Sequence, residues 1–183
     1  VLFRSHIFNL TVVGQTPKFS NNVTRLVASG WTISGIYRFQ SGTPITIVTG
    51  QDRDTTGTST TVQRPNQVLV DPYAADQGNS CSIANCVTWL NPAAFAQPAF
   101  GTKGNVGAQN IVGPRYWQFD MALSREFQVR ERQHFELRGE AFNIFNGVRY
   151  QTPGVNLNTT ATFGRITNAF DPRILQVAAK FVF

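Results

Sequence analysis

Charge is scarce in this chain of 183 residues, where Asp, Glu, Lys and Arg together make up only 14%. An average soluble protein carries roughly 25%. Histidine, cysteine and methionine are scarcer still, at 2, 2 and 1 residues. A zinc site takes about four ligands, and neither His6 nor His134 lies near Cys81 or Cys86 in the sequence. With no metal cluster and no nucleophile beside a base, nothing points to an enzyme or a cofactor. The net charge is +6, but the Lys and Arg residues are dispersed and form no basic run, which argues against nucleic-acid binding. No apolar run approaches the roughly 18 residues of a spanning helix. That absence leaves membrane strands open, because hydropathy windows do not see them. Val1-Leu-Phe-Arg-Ser5 has neither a basic n-region nor an apolar core. It reads as a translated sequencing-library adapter, so residues 1–5 are expected to be a non-native leader to a truncated chain.

What the chain does have is alternation. From Tyr116 onward, Trp117, Phe119, Met121, Leu123, Phe127 and Val129 share one parity, while Gln118, Asp120, Ala122, Ser124, Glu126 and Gln128 share the other. Alternate side chains of a strand point to opposite faces, so one face is apolar and the other polar. Arg125 is the exception on the apolar parity. After the short charged link Arg130-Glu131-Arg132, the pattern repeats as Phe135, Leu137, Gly139 and Ala141 against His134, Glu136, Arg138 and Glu140. The two runs predict an antiparallel hairpin. A first strand is predicted over His6–Val13 and a last over Arg173–Phe183, with Leu175, Val177, Ala179, Phe181 and Phe183 on the apolar parity. A further strand begins near Ser29, with Trp31, Ile33, Gly35, Tyr37 and Phe39 against Thr32, Ser34, Ile36, Arg38 and Gln40. Ser41-Gly42-Thr43-Pro44 interrupts it, and the pattern predicts a kink followed by continuation to Thr49.

Between the strands lie Gly14–Ala28, a polar link with room for a short turn, and two longer connections. Gln51–Arg115 is long and low in hydrophobicity; Gly147–Pro172 is of middling length. Cys81 and Cys86 stand alone in the first of these, and a local disulfide formed in an oxidising compartment fits them better than a metal. Gly101, Gly104 and Gly107 are not a dinucleotide fingerprint and read as turn residues. Glu136 and Glu140 are not an acid–base pair, since four strand residues separate them by roughly 13 Å.

The fold class is therefore all-β, with antiparallel amphipathic strands. Two architectures fit it. A soluble sandwich alternates in the same way, and could bind carbohydrate on Trp89 or Trp117. Soluble strands run about 5–6 residues, however, whereas about 9–11 suit a tilted strand crossing a bilayer, and these runs are of the longer kind.

A terminal strand ending Phe181-Val182-Phe183 resembles the signal by which barrel assembly machinery recognises bacterial outer-membrane proteins. Trp31-Thr-Ile-Ser-Gly-Ile-Tyr-Arg-Phe-Gln-Ser-Gly-Thr-Pro44, Trp89-Leu-Asn-Pro-Ala-Ala-Phe95, Gly104-Asn-Val-Gly107, Glu140-Ala-Phe-Asn-Ile-Phe-Asn146, Phe163-Gly-Arg-Ile-Thr167 and Asp171-Pro-Arg-Ile-Leu-Gln176 resemble TonB-dependent outer-membrane receptors. The nearest likeness is to Oar-like members, which carry a carboxypeptidase-regulatory-like N-terminal domain. The resemblance implies that residues 6–183 are the last five or so strands of a barrel of about 22 strands with a plugged lumen. It implies energised uptake of a scarce nutrient in the outer membrane, with long extracellular loops that capture substrate. The implied partners are the remaining barrel and plug, TonB acting through that plug, the assembly machinery at Phe183, outer-membrane lipid and a small substrate. Trp31, Tyr37, Phe39, Trp117, Phe119, Phe135, Leu137 and Phe181 would face lipid. Arg38, Asp120, Glu126, Glu136, Arg138, Glu140 and Lys180 would face the lumen and plug. Arg125 would snorkel at the periplasmic rim. Leu137, taken as a midplane residue, would cost about 2–4 kcal/mol on replacement by Arg, and Glu136→Gln would be nearly silent. A passive channel would share these strands without a plug.

Overall fold

The structure is a computed structural model that describes residues 5–57, 63–81 and 86–183. Residues 1–4 of the expected leader fall outside the described residues. The elements in chain order are β1 (Ile7–Gln15), α1 (Asn22–Ala28), β2 (Trp31–Gln40), β3 (Pro44–Ile45), β4 (Asn66–Gln67), β5 (Val87–Thr88), β6 (Phe95–Ala96), β7 (Ile111–Val112), β8 (Tyr116–Arg130), β9 (Gln133–Phe142), β10 (Arg165–Ile166) and β11 (Ile174–Val182). They group into two compact units. One, the sheet unit, comprises Ile7–Gln40, Trp117–Val148 and Asp171–Phe183; the other, the loop unit, is built mainly from Ser41–Tyr116 and Arg149–Phe170.

The sheet unit holds one five-stranded sheet of order β1-β2-β8-β9-β11. β1 with β2, β8 with β9 and β9 with β11 pair antiparallel, and their register keeps the parities together. Phe8 faces Phe39, Leu10 faces Tyr37 and Val12 faces Gly35. Leu123 faces Gly139 and Phe127 faces Phe135, and on the far side of β9 Val177 faces Gly139 and Phe181 faces Phe135. A slip of one residue at any pairing would carry a whole strand's apolar set to the other face. The β8–β9 hairpin turns at Glu131-Arg132, and the register shifts between Gln128 and Arg130. This bulge brings the long β8 round to meet β9.

Two sequence expectations need correction here. The link between β1 and β2 contains a helix, α1. Asn21 starts it, accepting the Val23 N–H on its side-chain oxygen at 2.9 Å, and so satisfying one of the donors a helix start leaves free. The strand from Ser29 also does not continue to Thr49. It ends at Gln40, and Pro44–Ile45 pairs instead with Ile111–Val112. Gly42 makes this departure feasible: a Cβ there would stand 2.0 Å from the Gly113 carbonyl oxygen. Only glycine admits so close a backbone approach.

The residues beyond Gln40 form a core of their own. Ile45, Ile47, Leu90, Ala94, Phe95, Val106, Ile111 and Phe163 make one buried cluster, with Phe95 and Phe163 edge to face at 5.5 Å. Three two-stranded ladders, β3 with β7, β4 with β6 and β5 with β10, stitch it together. The described residues of the stretch 51–115, read from sequence as a low-hydrophobicity connection, are therefore folded. Its few apolar residues converge from distant points of the chain, joined by Phe163 from the later loop. Trp89 packs on this core and donates its indole N–H to the Val112 carbonyl at 3.2 Å, so it is a packing residue of this unit. Cys81 and Cys86 are joined by a disulfide, with Cα atoms 5.4 Å apart. Of the three spaced glycines, Gly101 has φ +76°, as a turn requires. Gly104 is held by close approach, since a Cβ would lie 2.1 Å from the Arg64 carbonyl oxygen.

Candidate functional site

The sheet unit carries two chemically distinct faces, and both are built by strand parity. On the apolar face, Gly35 leaves a space that the Phe119 ring covers: a Cβ would meet its Cζ at 2.9 Å. Aromatic pairs run along this face. Phe8 and Tyr37 lie 6.4 Å apart, and Phe127 and Phe135 lie 6.3 Å apart. Phe181 stacks on Phe183 at 6.4 Å. Trp31 and Phe39 extend the same parity along β2, and Leu137 lies between Arg125 and Ala179 on the neighbouring strands. Within the unit no second layer covers the face: Val177 is 78% exposed and Leu175 69%. A sandwich would bury these residues against a second sheet.

On β8 Trp117 is the first aromatic residue of this band and Phe127 the last. Ten positions of β8 separate them, or ~33 Å along a strand at about 3.3 Å per residue. Tilted by about 40°, that length projects to roughly 25 Å, the height of the apolar band of an outer-membrane barrel.

The polar face holds the predicted charges in rows. Glu126, Glu136 and Lys180 share one row, Ser124, Arg138 and Ala178 the next, and Ala122, Glu140 and Gln176 the next. Arg138 pairs with Glu140 at 2.6 Å. The Nη2 of Arg38 stands 4.0 Å from Asp120 Oδ2. Asp120 shares this face but is 8% exposed. Its Oδ1 accepts the Asn143 backbone N–H at 2.9 Å and the Gln118 side-chain amide. It thus fastens the chain where β9 ends.

That fastening involves residues whose roles the sequence did not reveal. Asn143 and Asn146 both have left-handed backbones, with φ +51° and +53°, a conformation asparagine tolerates better than most residues. The Asn143 side chain accepts the Gly147 N–H and donates to the Gly147 carbonyl, each at 3.0 Å. Asn146 accepts the Arg173 N–H at 3.0 Å, which leads the chain into β11. Phe145 reaches back over Trp117 and Phe119, at 5.9 and 5.8 Å. The segment Glu140–Asn146 is therefore a built turn. Its two asparagines, three apart after a strand, were the available signal.

At the opposite end of the sheet lie α1, the Glu131-Arg132 turn and the C-terminal end of β11. Arg125 sits here with its guanidinium 4.5 Å from the Phe127 ring centre and 5.6 Å from that of Trp31. It donates to the Val27 carbonyl at 3.0 Å, and the Trp31 indole N–H donates to the same carbonyl at 2.7 Å. The exceptional cation on the apolar parity is thus spent on the end of a helix, where carbonyls lack intrahelical partners.

The loop unit carries an open cleft of about 310 Å³ lined by Asp54, Gln63, Arg64, Pro98, Lys103 and Gly104. Beside it, the Gln63 amide donates to Asp52 Oδ1 at 2.7 Å, and this bond first of all holds the Asp52 carboxyl below its ordinary pKa. Among the described residues no group of His, Cys, Asp and Glu could hold a metal ion, and no helix is long and apolar enough to cross a membrane.

No curated protein and no solved structure matches the chain. A family model described as an outer membrane beta barrel domain matches residues 2–176. That span takes in four of the five long strands whole and the start of the fifth. The uncovered apolar face, its membrane-sized band and this match agree: the chain belongs to the outer membrane beta barrel domain family and resides in the outer membrane.

Proposed function

We propose that this chain is the C-terminal part of the barrel of a TonB-dependent receptor of the Oar-like kind, working in energised uptake of a small nutrient. The observation that carries the reading is the turn after β9. The segment Glu140–Asn146, one of the motifs that carry the receptor resemblance, is a specific device in which Asp120, Asn143 and Asn146 lock β8, β9 and β11 together. The folded loop unit supports the same reading, because a cored body with an open cleft offers a shaped surface for capture. In this reading the apolar face meets lipid and the charged rows of β8, β9 and β11 meet the lumen and a plug. The loop unit lies outside the cell and Phe183 serves barrel assembly. The chain performs no chemistry; energy arrives through TonB and the plug.

A passive channel would use the same faces, and uptake by the complete protein in cells separates the two. A receptor loses accumulation of its substrate when TonB is deleted or the proton gradient is collapsed. Uptake that survives both treatments, with open conductance in planar bilayers, would establish the passive channel instead.

A further inference from the structure

α1 has an apolar face that nothing in the sheet unit covers. Val23, Leu26 and Val27, at helical spacing i, i+3 and i+4, are 71%, 71% and 64% exposed. Phe19, just before the helix, is also exposed. Seven residues are too few to hold a helix in water unaided, yet this one is fixed from both ends. Asn21 caps its start. At its end Trp31 and Arg125 bond the Val27 carbonyl, and Ser29 Oγ accepts the Phe19 N–H at 3.0 Å. The fold thus spends four side chains on presenting three exposed aliphatic ones.

The position of those anchors says what the face meets. Trp31 and Arg125 both belong to the apolar parity of the sheet, so α1 is tied to the rim on the same side as the band ending at Phe127. Three further arginines lie at this rim: Arg25 within the helix, and Arg130 and Arg132 on either side of Glu131 at the hairpin turn. We propose that α1 is an interfacial helix, lying in the headgroup zone of the membrane leaflet at this rim. Its aliphatic residues enter the acyl boundary, and Arg25, on the opposite side of the helix, meets phospholipid phosphates. The inference rests on the lipid-facing assignment of the sheet's apolar face, to whose parity both side chains that hold the Val27 carbonyl belong. An interfacial helix buries its apolar side about 5–10 Å into the headgroup and acyl boundary. Here it would set the height of the barrel in the bilayer, with Trp31 beside it as an interface anchor.

The test uses the complete barrel in phospholipid nanodiscs, with a polarity-sensitive fluorophore on single cysteines. Val23→Cys and Leu26→Cys probe the apolar side of α1, Thr24→Cys its polar side and Val177→Cys the sheet face. Labels at 23 and 26 should be quenched several-fold more strongly by lipids carrying a shallow spin label than by deep-labelled lipids, and should be shielded from aqueous iodide. The label at 24 should show the reverse. If 23 and 26 respond to iodide as 24 does, the helix stands in water and the proposal fails. If they are shielded from both quenchers, another protein segment covers them and it fails equally. Val177 separates these failures from a deeper one. Quenching by deep-labelled lipid there, without lipid contact at 23 and 26, overturns only the helix assignment. No lipid quenching at Val177 overturns the lipid-facing assignment together with it.

Discussion

An arginine placed at Leu123 tests the face assignment where it is most exacting. Leu123 lies near the middle of the band that runs from Trp117 to Phe127 on β8. Its partner across the ladder is Gly139, and the next residue in the row is Val177. A Cβ built on Gly139 meets nothing within 4 Å, so no neighbouring side chain would shelter the new charge. A midplane arginine on the lipid face costs about 2–4 kcal/mol, and 3 kcal/mol is roughly a hundredfold in the folding equilibrium. Leu137 gives an informative comparison. Sequence alone put it at the midplane, but the register sets it directly opposite Arg125, close to the rim that carries α1. Depth there costs about 0–1 kcal/mol, and a facing like charge adds about 0.2–1 kcal/mol. Leu137→Arg should therefore cost less than Leu123→Arg. Glu136→Gln on the polar face, beside Glu126, should stay within about 0.5 kcal/mol. The assay is reversible folding of the complete barrel into lipid vesicles across a denaturant series. If Leu123→Arg were as mild as Glu136→Gln, or milder than Leu137→Arg, the assignment of face or depth would be wrong.

Asp120→Ala removes a carboxylate acceptor from the Asn143 N–H and should cost about 1.5–3 kcal/mol. The loss should appear in the same folding assay and as faster amide exchange from Asn143 to Gly147. Cys81→Ser with Cys86→Ser opens a short covalent loop. The chain-entropy estimate for so few residues is about 2 kcal/mol, to be read as increased exchange or proteolysis confined to the loop unit while the barrel's folding midpoint stays put. Gly104→Ala drives a Cβ onto the Arg64 and Pro65 carbonyls, at 2.1 and 2.3 Å. Backbone must shift, so it should destabilise the loop unit by about 1–3 kcal/mol, whereas Gly107→Ala, whose Cβ would meet the Asn110 side chain at 3.4 Å, should cost less. Equal effects at the two glycines would refute the close-packing account.

The alternation of residues along the chain is enough to define the sheet. Parity is a local property, readable two residues at a time, and once Trp117, Phe119, Met121 and Leu123 share a side, each register is constrained to keep that side apolar. The five long strands, their faces and the short hairpin followed from this. What followed only from the tertiary structure was the fate of the connections. Ile47, Leu90, Ile111 and Phe163 lie far apart in sequence, in runs too short to show any period, and their common core exists only after the chain has closed on itself. The continuation to Thr49 failed for the same reason: Ile45 and Ile47 alternate as strand residues do, but their partners lay in this distant core. α1 was hidden because seven residues barely make two helical turns, and its anchors, Trp31 and Arg125, come from strands. Asp120 reads as one more charge on a polar face. That it is instead the acceptor for a buried Asn143 N–H depends on the chain turning back at the end of β9, which strand parity alone does not show.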